Sequence, residues 1–118
     1  MASKRFKLPA DRIREGLVPP MGYCFASDRI TVDGAPVGFM YREPPDGAGD
    51  SGWRFLAGDE SDAYLGNPDN FALYEVNTIA NYDPDIIPLV DAEVGYAFER
   101  HRKTGGFVAA SLPPGSVN

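Results

Sequence analysis

Alternating apolar and polar positions run along much of the chain and predict β-strands. The alternation is clear in residues 53–57, where Trp53 and Phe55 fall on one face and Arg54 and Leu56 on the other. Strand signals are present at residues 23–26, 29–32, 37–42, 53–57, 71–76 and 94–98.

Glycine and proline mark the breaks between these strands. The Asp33-Gly34 turn signal predicts a hairpin or meander over residues 23–42. Residues 44–52 contain two prolines and three glycines and fit neither a strand nor a helix period. We expect them to form a loop.

Short helices are predicted where acidic residues or caps begin an apolar stretch. Residues 10–16 and residues 58–65 have such signals, and the acidic residues of the second lie in its first turn, where they meet the positive end of the backbone dipole. A further helical turn is expected to be capped by Asp83 and opened by Pro84. Residues 77–82 fit either type of element.

Strands interrupted by short helices, without regular βαβ spacing, are typical of an α+β domain. We therefore predict a mainly antiparallel sheet of about five strands with two or three short helices. The 118 residues suffice for one domain. It is expected at residues 10–103, between a basic tail at residues 1–9 and a flexible C-terminal tail at residues 104–118.

Composition narrows the class of protein. A hydrophobic fraction of 43% is too high for a disordered chain. No apolar run approaches the length of a membrane span, and the first residues lack the apolar core of a signal peptide. The single cysteine, Cys24, and the single histidine, His101, exclude an internal disulfide and a zinc site of the usual kind. We expect a cytoplasmic protein with no bound metal or cofactor.

The net charge of −6 is unevenly distributed. Residues 16–99 hold three arginines against fifteen carboxylates, whereas residues 1–15 and 100–103 are basic. Such an acidic body attracts basic partners and repels the phosphates of nucleic acids. The charge is equally compatible with a role in solubility alone.

Three familiar motifs occur in surroundings that do not fit their usual functions. Gly-Asp-Ser-Gly at residues 49–52 resembles the surroundings of a serine nucleophile, but His101 lies in a basic segment at the far end of the chain. The Gly-x-Gly-x-x-Gly at residues 47–52 leads into a strand instead of a helix. A calcium loop starting at Asp46 lacks the required glycine and the final glutamate. None of the three predicts an enzyme.

Several short strings taken together resemble a known family. They are Cys24 to Asp28, Val37-Gly38, Tyr41-Arg42-Glu43, Asp50 to Phe55, Gly58-Asp59-Glu60, Tyr64 and Asn77 to Pro84. Between about residues 24 and 100 they closely resemble the immunity-protein-33-like domain family. The resemblance implies a small bacterial cytoplasmic protein, and some members of the family are assigned as antidotes in polymorphic toxin systems. It supplies no catalytic residue.

Resemblance and charge together suggest a non-enzymatic protein that binds a cognate toxin with a basic surface. An acidic exterior would speed the encounter, and Trp53 would serve as a desolvated anchor, although core packing is the more usual role of such a residue. Neither a nucleic acid nor a membrane is expected as partner. The predicted partner-binding residues are Asp50, Trp53, Arg54, Asp59, Glu60 and Asp62.

A second hypothesis is a stand-alone domain that binds a small molecule or regulates another protein. Its pocket would be formed by Ser51, Arg54, Asn77 and Asp83. The planar guanidinium of Arg54 would orient an anionic ligand. A salt bridge from Arg54 to Asp59 or Glu60 would speak against this hypothesis.

Overall fold

A six-stranded sheet forms the centre of the protein in a computed structural model, which describes residues 4–114. The strands are β1 (Tyr23–Ser27), β2 (Phe39–Arg42), β3 (Asp50–Leu56), β4 (Phe71–Glu75), β5 (Ala97–Arg100) and β6 (Phe107–Ala110). Their order in the sheet is β4-β1-β3-β2-β5-β6. Only the β1–β3 pair is parallel among these strands. The predicted α+β fold with a mainly antiparallel sheet is confirmed, with six strands in place of about five.

Short helical segments connect the strands. They are α1 (Asp28–Thr31), α2 (Asp62–Leu65), α3 (Val76–Tyr82) and 3-10 turns at Ala10–Arg12, Pro68–Asn70 and Pro84–Leu89. The expected helices at residues 10–16 and 58–65 are thus shorter than predicted, and the ambiguous residues 77–82 are helical. Asp83 caps the last 3-10 turn as predicted, since its Oδ1 accepts a hydrogen bond from the Asp85 N–H at 3.1 Å.

The core lies on one face of the sheet, under α1, α3 and the last 3-10 turn. Strand residues on this inner face alternate with residues on the outer face, as the strand period requires. The buried core residues include Cys24, Ala26, Met40, Trp53 and Phe55 from the sheet and Ile30, Ile79, Ile86 and Val90 from the covering segments.

The prediction of a strand at residues 29–32 is wrong, because this segment forms most of α1. Ser27 caps the helix, with its Oγ accepting a hydrogen bond from the Arg29 N–H at 3.1 Å. The helix turns Ile30 and Thr31 into the core. A four-residue alternation is too short to separate a strand from one helical turn once a capping serine precedes it.

The predicted hairpin or meander over residues 23–42 is wrong as well. β1 and β2 do not pair, because β3 lies between them and bonds to both. β3 also starts at Asp50, inside the stretch expected as a loop. Sequence neighbours are therefore separated in the sheet, and β1 gains a parallel partner.

Both ends of the described chain are attached to the domain. In the expected basic tail, Lys4 forms a salt bridge with Asp28 at 2.8 Å, and the Lys7 N–H donates to the Thr31 carbonyl at 2.7 Å. In the expected C-terminal tail, residues 107–110 form β6 against β5. Residues 1–3 and 115–118 lie outside the described residues.

Candidate functional site

The outer face of the sheet is largely uncovered and carries a row of aromatic and apolar side chains. Strand register aligns Leu73, Phe25, Arg54 and Tyr41 across four neighbouring strands on this face. Leu73 leaves 55% of its surface exposed, and Val108 on β6 leaves 42%. This face therefore presents apolar surface that the domain itself does not bury.

A cleft of about 700 Å³ lies on this outer face, bordered by α2 and the 3-10 turn that follows it. This volume is in the range of sites that hold a ligand or a partner's side chain. Its apolar lining includes Phe25, Tyr41, Leu56, Leu65, Phe71 and Leu73, and its charged lining is Glu43, Asp46 and Arg54. We call this site the outer cleft.

Arg54 lies at the floor of the outer cleft and is held by two carboxylates. Its Nη1 and Nη2 donate to the two oxygens of Asp50 at 2.9 and 2.8 Å, and its Nε donates to Glu43 Oε2 at 2.6 Å. The guanidinium carbon stands 4.7 Å from the centre of the Phe25 ring. Arg54 is thus paired with carboxylates on its edges and with an aromatic ring on its face.

The pKa of both partners is shifted by this arrangement. The hydrogen bonds from Arg54 lower the pKa of Asp50 well below its ordinary value, against the effect of burial. For Arg54, burial alone would lower the pKa, but the hydrogen bonds to Asp50 and Glu43 outweigh it and raise the pKa. Both groups remain charged at neutral pH.

Gly52 allows Glu43 to reach Arg54. Its φ is +86°, and a Cβ at this position would collide with the carbonyl oxygen of Glu43. The Glu43 N–H also donates to the Gly52 carbonyl at 3.0 Å. The glycine therefore brings the end of β2 close to β3 and places the Glu43 carboxylate beside the guanidinium.

Three of the predicted partner-binding residues are buried, and two of them, Trp53 and Asp50, expose no side-chain surface to a partner in this conformation. Trp53 is 0% exposed, and its Nε1 donates to the Val90 carbonyl at 2.9 Å. Asp50 has a fully buried side chain, which accepts hydrogen bonds from the Asp46 and Gly52 N–H groups as well as from Arg54. Trp53 faces inward because the core covers that face of β3, so the expectation of an exposed indole is corrected.

Of the other four predicted partner-binding residues, only Arg54 lines the outer cleft. Arg54 forms the floor of the cleft. Asp59 forms two hydrogen bonds with Arg29, at 3.1 and 2.7 Å, and these lower the pKa of Asp59. Glu60 accepts the N–H groups of residues 57 and 58, while Asp62 is exposed at the start of α2.

The four residues of the alternative pocket do not meet. Ser51 Oγ accepts a hydrogen bond from the Trp53 N–H. Asn77 Oδ1 accepts hydrogen bonds from the N–H groups of residues 17 and 18. Asp83 accepts the Val37 N–H at 2.9 Å and forms a salt bridge with Arg100 at 2.7 Å. Of the four, only Arg54 lines the outer cleft. The prediction that they converge is therefore wrong, and Arg54 is held by Asp50 and Glu43, not by Asp59 or Glu60.

The arginines in the acidic body already have partners. Arg29 and Arg54 form salt bridges, while the Arg42 guanidinium donates to the Ser51 and Ala92 carbonyls at 2.8 and 2.7 Å. Within residues 16–99 of the described chain, eight acidic residues form no salt bridge. They are Asp46, Glu60, Asp62, Asp69, Glu75, Asp91, Glu93 and Glu99.

The sequence did not predict the aromatic walls of the cleft or its two acidic lining residues, Glu43 and Asp46. Phe25, Tyr41 and Phe71 were expected in strands, but only their register across the sheet brings them together. Burial, with a smaller contribution from Glu43, raises the pKa of Tyr41 above its ordinary value. Alternation along β2 and β3 was the available signal, although it does not show which face remains open.

Among residues 4–114, no group of three or more His, Cys, Asp and Glu side chains is positioned to hold a metal ion. The longest helices found in this part of the chain are too short to cross a membrane.

Comparison with known proteins gives one match. The family model described as immunity protein Imm33 domain matches residues 24–111 of the 118-residue chain. This range contains β2 to β6, all of β1 except Tyr23, and every residue that lines the outer cleft. A search of curated proteins found no match, and neither did a search of solved structures.

Proposed function

Because the chain belongs to the Imm33 immunity protein domain family, we propose that its immunity-type role is to bind and neutralise a cognate toxin without catalysis. The partner would be a protein with a basic surface, met in the bacterial cytoplasm. Neither a nucleic acid nor a membrane is part of the proposal, because an acidic body repels phosphate groups.

The outer cleft supports this proposal best as the centre of the binding surface. It combines partly exposed apolar side chains with carboxylates that border them, which is the composition of an interface with an apolar centre and a polar rim. Leu73 and Leu65 expose 55% and 42% of their surface here. Their burial by a partner would supply affinity.

The surrounding charge supports the choice of partner. Asp46 borders the cleft, while Asp62 and Asp69 lie on the short segments beside it, and none of the three forms a salt bridge within the described residues. Exposed charges of one sign raise the association rate with an oppositely charged surface, and salt weakens that attraction.

The test is binding to the product of the neighbouring gene, the candidate toxin, measured by titration calorimetry at low and at physiological salt. Leu73→Arg places a charge and a longer side chain at the cleft, and we expect it to weaken binding at least about tenfold. Val94→Arg is the matched control, since Val94 is 44% exposed and does not line the cleft. Absence of binding at low salt would refute the toxin proposal, and equal effects of the two variants would refute the location.

The volume of the outer cleft also supports a second candidate, a stand-alone domain that binds a small molecule. The anionic ligand expected from the sequence is disfavoured, because the fork of Arg54 already pairs with Asp50 and Glu43. An apolar or cationic molecule would suit the cleft better. Binding of such a molecule with no affinity for any neighbouring gene product would favour this candidate over the first.

A further inference from the structure

We infer that the outer cleft accepts a basic side chain, a lysine or an arginine, presented by the bound toxin. The inference rests on the proposed function and names the chemistry that the cleft would recognise. It follows from the charge at the cleft, from its free acceptor atoms and from the aromatic walls.

The charge of the cleft is negative although an arginine forms its floor. The guanidinium of Arg54 is paired with the carboxylates of Asp50 and Glu43, and a third carboxylate, that of Asp46, also lines the cleft. One positive charge therefore faces three negative ones. A second cation entering from outside meets a net attraction, whereas an anion meets a repulsion and an arginine that is already paired.

Acceptor atoms remain free at the mouth of the cleft. Glu43 uses Oε2 to accept the Arg54 Nε–H, and within the described residues its Oε1 has no hydrogen-bond partner. The side chain of Asp46 likewise has no partner in this part of the chain, because only its backbone N–H is bonded, to Asp50. Two carboxylates thus offer oxygens to a donor arriving from solvent.

The walls of the cleft fit the stem of such a side chain. Phe71, Leu73 and Leu65 line the cleft together with the ring of Tyr41. Lysine and arginine bury their methylene groups along apolar surface while the charged end stays at the polar margin. Arg54 shows that a guanidinium can lie over an aromatic ring on this face while its nitrogen atoms bond carboxylates.

These features also select against other side chains. An aliphatic residue would fill the walls but leave Glu43 and Asp46 without a donor, and an acidic residue would face both carboxylates at short range. A basic residue satisfies the walls and the rim at once. Toxins of this type would therefore place an exposed lysine or arginine at the centre of their contact with the protein.

The probe for this inference is N-acetyl-arginine amide, titrated into the ¹⁵N-labelled full chain and followed by amide chemical shifts. N-acetyl-lysine amide is a second cationic probe, N-acetyl-norleucine amide has a similar stem without charge, and N-acetyl-glutamate amide reverses the charge. We expect saturating shifts for the two basic amides at residues of the outer cleft, with Kd in about the millimolar range for ligands of this size. The other two should bind at least about threefold more weakly.

Asp46→Asn is the decisive variant, because it removes a free carboxylate and keeps the backbone bond to Asp50. It should weaken both basic amides about threefold or more, while Asp91→Asn, at an exposed acid outside the cleft, should leave them unchanged. A dispersed amide spectrum like that of the parent protein would confirm that the variant is folded. The inference would be overturned if N-acetyl-norleucine amide bound as tightly as the basic amides or if the shifts lay outside the cleft. An unchanged affinity of Asp46→Asn for the basic amides would overturn it too.

The result is separable from that of the toxin experiment. If the toxin binds, Leu73→Arg weakens that binding and the basic amides do not bind, the proposed function stands. The inference that the cleft accepts a basic side chain is then refuted. If the basic amides bind to the cleft and no toxin binds, the toxin proposal is refuted while the chemical preference of the cleft is retained.

Discussion

The two faces of the sheet bury their side chains by different physical means, and β3 shows both within two adjacent residues. Trp53 on the inner face packs in the apolar core with the Arg42 guanidinium carbon 5.7 Å from its ring centre, and its one polar atom bonds a backbone carbonyl. Arg54 on the outer face is 8% exposed and is satisfied by two carboxylates and an aromatic ring. The inner face is stabilised mainly by packing. Burial on the outer face depends on the ion pairs of Arg54 with Asp50 and Glu43.

The largest expected effect is on the inner face. Trp53→Ala should lower the free energy of unfolding by about 3–5 kcal/mol, because it leaves a cavity in the core and removes the hydrogen bond to Val90. Leu73→Ala on the outer face should cost less than about 1 kcal/mol, since the side chain is already half exposed. Urea denaturation of both variants measures the difference, and similar losses would contradict the contrast between the faces.

The next effect tests the charges on the outer face. Asp50→Asn keeps the size of the buried side chain but leaves Arg54 with Glu43 as its remaining carboxylate. We expect a loss of about 3 kcal/mol in the free energy of unfolding, as for other broken buried ion pairs. Asp59→Asn, in the exposed pair with Arg29, should cost clearly less. If the two variants lost equal free energy of unfolding, the buried pair of Arg54 and Asp50 would contribute no more stability than the exposed pair.

The smallest effect is a dependence on pH. The pKa of Asp50 is lower in the folded protein than its ordinary value near 4, so its ionised form stabilises the fold. That contribution is complete above about pH 5 and is lost progressively as the pH falls below about 4 toward the folded pKa. Denaturation at several pH values between about 2 and 6 should show less acid sensitivity in Asp50→Asn than in the parent protein. An identical slope in both would assign the acid sensitivity to other carboxylates.

Local patterns were sufficient to predict most of the strands and the α+β class. The alternation of residues 53–57 separated Trp53 and Phe55 from Arg54 and Leu56 correctly. It did not show which of the two faces would be covered, because that depends on where α1 and α3 pack. The pattern therefore left open whether the Trp53 indole is exposed and whether the Arg54 guanidinium is free to bind a ligand.

The site itself depends on contacts between distant parts of the chain. Glu43 reaches Arg54 only because β2 pairs with β3 and Gly52 permits a close approach. Phe25 joins them only through the parallel β1–β3 pair, which residues 23–42 gave no reason to expect. Pattern along the sequence predicts which residues share a strand face, and register between strands decides which faces form a site.

The parallel pairing of β1 with β3 affects the order in which a newly made chain can fold. β1 is complete at Ser27, yet its first partner strand begins only at Asp50 and its second at Phe71. At roughly 5–20 residues per second, a ribosome leaves this strand without its neighbours for about one second or more. β2 likewise lacks its partner β5 until residues 97–100 have been made. The apolar segments made first are therefore the ones that depend longest on protection from aggregation during synthesis.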